Sequence, residues 1–302
     1  MSVSKIFIRN ATVLDCAVWH PILGPIGRSW NVDLEWQGTL DAEGVVMDFS
    51  QAKKLAKQVV DTFFDHRLLI STKHARVTSN GRNVCRPSKL CRPENRFFLD
   101  TYEESLCLLP ADVFDALCNE NKMPFESFLA ESIRNAGPQN VTKVKVTLNE
   151  HPEADSKRYF NYLHSLKLHT GNCQRFHGHS NTVEIYENGT LNPLLSGQIA
   201  NQLNGKYLVS EDYLCLFESI DTGLYAEEIN ANEMNTEQYQ WIRYTGTQGV
   251  VVACVPKERL LVMDGESTIE NISAWVHRVC FSAAEKISIR AFEGLNKGAI
   301  SP

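Results

Sequence analysis

Along Gly27 to Leu40 and again along Gly178 to Leu191, hydrophobic and polar residues alternate in the middle before a Gly-Thr turn. Period-two alternation ending in a turn predicts a β-strand in each segment. Phe7 to His20 and Tyr159 to Leu168 predict the strand that precedes each one. Helical spacing follows in Ser50 to Phe64, where Ala52, Leu55, Ala56, Val59, Val60, Phe63 and Phe64 line one face. A shorter helix is expected over Leu195 to Leu203. Two further amphipathic helices are Phe125 to Ala136, stopped by Gly137, and one opened by Ser267-Thr-Ile-Glu270, which reads as a capping box. After each of these comes a strand and then a glutamate: Lys143 to Leu148 with Glu150, and Lys286 to Phe292 with Glu293.

These patterns repeat. Gly27 to Leu40 aligns with Gly178 to Leu191 at an offset of 151, with Gly27, Ser29, Val32, Gly38, Thr39 and Leu40 identical. Self-similarity at about 150 residues points to duplicated domains, since solenoid repeats have periods of ~20–50. The expected units are 1–152 and 153–302, with residues 71–122 an insertion in the first, rich in Arg, Asn and Pro from Asn80 to Arg96.

Composition narrows the class. With 43% hydrophobic and 22% charged residues among 302, the chain has the make-up of a soluble globular protein. The longest apolar run is Val250 to Val255, far short of the ~20 residues that span a bilayer. No signal peptide is read at the start, so a reducing cytoplasm with free thiols is expected for the nine cysteines, none in a Cys-x-x-Cys pair. A formal charge of −6 without a basic block implies no nucleic-acid surface. A local cationic pocket for a phosphorylated small molecule stays open.

The candidate chemistry gathers in the second unit, at Cys173-Gln-Arg-Phe-His177-Gly-His179. His-x-His at a strand start puts both imidazoles on one face, and His164 on the preceding strand adds a third. Three neutral imidazoles with an open fourth position describe a catalytic zinc site; the alternative is three satisfied polar histidines at a strand end. Cys173 is a candidate general base beside such a cation, or else a fourth ligand or buried thiol. The first unit has Ile26 and Arg28 opposite His177 and His179, while His20 aligns with His164 at an offset of 144. Asp65-His66, at the end of the long helix, pairs an acid with an imidazole, as proton transfer requires; a solvated helix cap is the other reading. Arg175 is either an anion contact or a loop charge.

Phe160-Asn-Tyr-Leu-His164 with Cys173-x-x-x-His177-Gly-His179 resembles the zinc and cysteine signature of the 6-pyruvoyltetrahydropterin synthase and 6-carboxytetrahydropterin synthase family. Leu40 to Phe49 and Phe64-Asp65-His66-Arg-Leu-Leu are similar to its helix and catalytic Asp-His, and Glu150 and Glu293 to its pterin-anchoring glutamate. The resemblance implies an α+β chain of two tandem tunnelling-fold (T-fold) domains, each an antiparallel sheet with helices on one face. The first would be a degenerate unit carrying the Asp-His pair, and the second the zinc-binding unit.

It further implies Zn2+ on His164, His177 and His179, Cys173, Asp65 and His66 as catalytic residues, and Glu293 (Glu150 in reserve) and Arg175 as substrate contacts. Three residues between Cys173 and His177 resemble the carboxytetrahydropterin enzyme, a lyase acting on dihydroneopterin triphosphate in the 7-deazaguanine (queuosine) route. A 6-pyruvoyltetrahydropterin synthase and a non-catalytic zinc-bearing pterin-binding or scaffold protein are the rivals. A homo-oligomer, dimer or higher, is expected, with no nucleic acid or membrane as partner. The second unit has no Asp-His of its own, Met263 to Glu266 failing to match it.

Overall fold

The computed structural model describes residues 3–77, 82–88, 90–220, 237–281, 286–295 and 297–302. The first half is built on a long hairpin, β1 (Val3–His20) and β2 (Gly24–Thr39), turned at Gly24, whose φ of 70° suits glycine. Helix α1 (Phe49–Phe63) leads to β3 (Arg67–Ser71). Three short strands follow, β4 (Ala75–Val77), β5 (Asn83–Cys85) and β6 (Phe98–Thr101). Then come β7 (Leu106–Leu109), α2 (Ala111–Cys118), α3 (Met123–Ala136) and β8 (Val141–Asn149). Asp48 caps α1, accepting from the amides of Ser50 and Gln51. The helices bury Ala56, Val60, Phe114, Phe125, Leu129 and Ile133 with Trp30 and Trp36 of the sheet.

The second half repeats the plan with β9 (Tyr159–His164), β10 (His177–Glu187), β11 (Thr190–Leu191), α4 (Pro193–Leu203) and β12 (Lys206–Ser210). Next are β13 (Leu214–Cys215), β14 (Tyr239–Thr245), β15 (Val250–Pro256) and β16 (Leu260–Met263). Helix α5 (Ile269–Cys280), β17 (Ile287–Phe292) and β18 (Gly298–Ser301) close the chain. The fold is a tandem of two T-fold units.

Strand order is β7-β3-β1-β2-β8 in the first sheet and β16-β12-β9-β10-β17-β18 in the second, with β11 on β10. Both sheets are antiparallel at the centre, yet β3 runs parallel to β1 and β7, and β12 parallel to β9 and β16. A helix, α1 or α4, returns the chain beside the first strand of each half in the same direction. The excursions through β4–β6 and β13–β15 then bring β7 and β16 alongside β3 and β12, which makes these flanks parallel.

The stretch 71–122 is not one inserted block. β7 rejoins the first sheet and α2 packs on its core. Only β4, β5 and β6 leave it, and β13, β14 and β15 leave the second half likewise. The six form a third sheet, β13-β14-β15-β6-β5-β4, in which β15 pairs with β6 across the halves. Residues 78–81 and 89 of the expected insertion, Asn80 among them, lie outside the described residues. A core of Trp19, Phe97 and Leu99 with Leu163, Tyr207 and Tyr244 ties this sheet to both units.

Two sequence expectations shift register. The cap of α5 is Thr268, which accepts from the amide of Asn271, and not Ser267, whose carbonyl is engaged by His164. Ala17 faces Gly27 as Leu163 faces Gly178, so Val18 and not His20 is the counterpart of His164. His20 instead accepts from the amides of Ile22 and Leu23 in the hairpin turn.

The halves meet along β1 and β2 against β9 and β10. A Cβ on Gly27 would lie 2.3 Å from the carbonyl oxygen of Tyr162, and one on Gly178 2.6 Å from the Cα of Gly27. Two repeated glycines thus allow the backbones to touch.

Candidate active site

Register carries the three histidines together. His177 sits opposite His164 on the β9–β10 ladder, and His179 points to the same side two residues on. Nε2 of His164 lies 2.9 Å from Nε2 of His177 and 2.9 Å from Nε2 of His179. All three side chains are fully buried. Each Nδ1 faces outward to its own partner: the Ser267 carbonyl for His164 (3.0 Å), the Arg175 carbonyl for His177 (2.7 Å), and Asp15 Oδ1 for His179 (3.3 Å). Such outer partners fix ring orientation and leave Nε2 free to ligate. Burial, and after it the neighbouring imidazoles, hold His164 and His177 well below the ordinary histidine range, so neither must shed a proton to bind a cation.

Asp65 and His66 reach this cluster from the first half of the same chain. The amides of Phe64 and Asp65 both donate to the Val60 carbonyl as α1 ends, and His66 takes a φ of 54°. Its amide donates to the Asp15 carbonyl (2.6 Å), and Asp65 Oδ1 accepts from the Asp15 amide (2.8 Å). The turn is thereby locked onto β1. The His66 ring lies 4.4 Å, centroid to centroid, from that of His177, and its Nδ1 is 2.5 Å from Asp65 Oδ2. Burial opposes its protonation, but hydrogen bonds to Asp65 and Cys173 outweigh this and hold it well above the usual range. Cys173, half-buried on the loop between β9 and β10, is thus close enough to His66 to favour its protonated form, and Asp65, His66 and Cys173 adjoin across the two halves.

Sequence reading missed Asp15. It lies on β1, is buried, accepts a hydrogen bond from the Ser29 hydroxyl and approaches Nδ1 of His179. Burial alone would raise its pKa; His179, His66 and Ser29 together hold it well below the usual carboxylate range. The only sequence signal was a lone acid in an otherwise apolar strand end, Val13-Leu-Asp-Cys-Ala-Val18.

The glutamates separate as the register requires. Glu293 follows β17, and its carboxylate oxygen lies within 4.8 Å of ring nitrogens of His164 and His179. Its other close partner is Lys297 at 3.2 Å. A second set of potential ligand atoms within 4.8 Å of one another is His66, His177 and His179. Glu150 follows β8 at the equivalent place and pairs with Lys122 (3.4 Å). Arg175 is buried, donates from Nε to Gln248 Oε1 (3.1 Å), and has no partner for Nη1.

The junction that would mirror this site has lost its chemistry. Val18, Ile26 and Arg28 replace the three histidines, and Arg28 pairs with Glu120 at 2.7 Å. The counterpart of Asp65-His66 is Asn204-Gly205, and not Met263 to Glu266. Asn204 Oδ1 accepts from the Asn161 amide, the Gly205 amide donates to the Asn161 carbonyl, and Gly205 has a φ of 71°. The backbone device is kept while acid and imidazole are gone. Arg259 fills the region, donating to the carbonyls of Gly205, Leu23 and Pro25.

The sequence pattern of the family described as 6-pyruvoyl tetrahydropterin synthase matches the chain twice, over residues 26–154 and 153–300. No curated protein matches it. Similar solved structures include the 6-pyruvoyl tetrahydropterin synthase of Plasmodium vivax, at 15% identity and a TM-score of 0.36, covering 50% of this chain and 94% of that one. The Plasmodium falciparum enzyme is similar with the same identity, coverage and TM-score.

Proposed function

The chain belongs to the 6-pyruvoyl tetrahydropterin synthase family, and on that premise we propose that it is a 6-carboxytetrahydropterin synthase. It would take 7,8-dihydroneopterin triphosphate and water to 6-carboxytetrahydropterin, acetaldehyde and triphosphate. The observation that carries the reading is the Asp65–His66–Cys173 chain set against three convergent Nε2 atoms at one junction. The three-residue gap between Cys173 and His177 favours the carboxy product over the pyruvoyl one.

The donor set fits zinc: three buried Nε2 atoms converge, His164 and His177 favour the neutral form, and the far nitrogen of each ring faces an acceptor. His164, His177 and His179 would hold the ion, which when bound stabilises negative charge developing on side-chain oxygens of the substrate. Cys173 takes a proton from the substrate side chain. His66, hydrogen-bonded to Asp65 and beside the thiol, keeps a proton there and returns one on the other side of the reacting carbon. Glu293 accepts the ring N–H and exocyclic amine of the pterin as a bidentate pair, displacing Lys297. The unpaired Nη1 of Arg175 is a donor for the triphosphate.

Product analysis decides between the two chemistries. Acetaldehyde released from dihydroneopterin triphosphate supports the carboxy reading; a pyruvoyl product without acetaldehyde overturns it. No turnover at all, with the pterin still bound, favours the scaffold reading. We keep a cytoplasmic homo-oligomer within the proposal, since β8 and β18 end their sheets and a second copy would cover such edges. Among the described residues no helix is long and apolar enough to cross a membrane.

A further inference from the structure

The third sheet has no place in the chemistry above, yet its β14–β15 turn, Gly246-Thr247-Gln248-Gly249, lies against the loop that carries Cys173. That loop, 165–176, spans β9 to β10 with little regular structure of its own. Gln174, next to Cys173, is buried although polar. Its Nε2 donates to the His169 carbonyl and lies 2.8 Å from Thr247 Oγ1, and its Oε1 accepts from the Gln248 amide (3.3 Å). The Tyr244 hydroxyl donates to the Gln174 carbonyl at 2.9 Å. Gln248 Nε2 donates to the Gly171 carbonyl (3.2 Å), while its Oε1 accepts from Arg175 Nε (3.1 Å) and from the hydroxyl of Tyr102 in the first half (3.4 Å). A Cβ on Gly246 would stand 2.3 Å from Gln174 Oε1, so the close approach needs glycine.

We propose that the third sheet is a clamp for the Cys173 loop, with Gln174 and Gln248 as positioning residues for the thiol. The physical need is plain. Cys173 belongs to one half and His66 to the other, so the two can work together only if a twelve-residue loop is held to about 0.5 Å. Within the loop, the Asn172 side chain reaches the first half at one point, the Asp61 carbonyl of α1 (3.3 Å); a second tie is needed to fix the loop's orientation. Gln248 supplies it, through Tyr102, and grips the loop on both sides of Cys173, at Gly171 and Arg175. The Arg175 carbonyl in turn orients His177. A sheet made from both halves thereby sets the distance between groups contributed by both halves.

The proposal rests on the catalytic role of Cys173, so its test has one arm that needs no turnover. Gln248→Ala, at a half-buried turn position, and Gln174→Ala are compared with wild type by hydrogen exchange followed peptide by peptide. Exchange in 165–176 should speed up in both variants, with α1 and β10 unchanged. On dihydroneopterin triphosphate, Gln248→Ala should lower kcat on the order of ten-fold with KM little changed. In a Cys173→Ala background the same substitution should cost nothing further, since it acts through the thiol. Gln248→Glu keeps the acceptor toward Arg175 and should fall between. Wild-type exchange in 165–176 for both alanine variants overturns the clamp, as does an undiminished kcat or a full additive loss beside Cys173→Ala. A wild type that does not turn over overturns the proposed function and leaves the clamp to be decided by exchange.

Discussion

Ser29 and Ser180 exchange hydrogen bonds across the junction of the halves: the Ser29 amide donates to Ser180 Oγ at 2.8 Å, and the Ser180 amide donates to Ser29 Oγ at 3.1 Å. They are the same position of the repeat, 151 residues apart, so the pair marks a pseudo-twofold axis through the molecule. Symmetry ends at the hydroxyl of Ser29, which also donates to Asp15. Ser29→Ala should therefore cost about 1–3 kcal/mol, the penalty for leaving buried polar partners unpaired. Ser180→Ala, with no carboxylate behind it, should cost less. Urea denaturation of both variants checks the order.

Metal content is expected at about one zinc per chain, because only one junction keeps three histidines. His177→Ala should lose metal and activity together with the fold retained by circular dichroism. Two zinc ions per chain by elemental analysis would contradict the single-site reading.

Asp15 stands behind His179, a proposed zinc ligand, from the opposite half. Asp15→Ala frees Nδ1 of His179 from its outer partner, and zinc affinity should drop about 10–100-fold. Competition with a chromogenic chelator measures this without substrate. An unchanged affinity would show that the 3.3 Å approach does not orient the ring.

Because Asp65, His66 and Cys173 meet within one chain, mixing Cys173→Ala chains with His66→Ala chains should restore no activity, even after subunit exchange. Recovery would place the working pair between chains and refute the intrachain site.

The raised pKa of His66 gives a pH dependence with a definite sign. A folded-state value above the ordinary 6.5 contributes stability that is complete below about pH 6.5 and is lost as pH rises through the folded value. Melting temperature of the metal-free protein should thus fall as pH rises above about 6.5. Asp65→Asn, which removes the strongest acceptor, should flatten that fall.

Much was legible in one dimension because it depends on local pattern. The strand periodicity, the helix over Ser50 to Phe64 and the Gly27/Gly178 repeat all follow from residues near in sequence, and His-x-His on a strand needs only the alternation of side chains. The equivalence of Glu150 and Glu293 held for the same reason, each following the same strand at the same distance. Where a pairing register is required, local pattern falls short: the offset of 144 sets His20 against His164 across a turn whose length differs between the halves, and the capping-box pattern points to Ser267 where Thr268 caps the helix.

The amino-acid sequence by itself determined the duplication, the repeated strands and helices, and the residue types able to carry the chemistry. Only the tertiary structure decided that Asp65 and His66 lie against the histidines of the same chain, that Asp15 stands behind His179, and that Asn204-Gly205 is the silent copy of the Asp-His turn. It also decided that β4, β5 and β6 join β13, β14 and β15 in one sheet. Each of these is a meeting of residues from different strands or halves. Such meetings are set by strand register and by how closely two backbones can approach, here through Gly27 and Gly178, and neither quantity is written in the periodicity of a single segment.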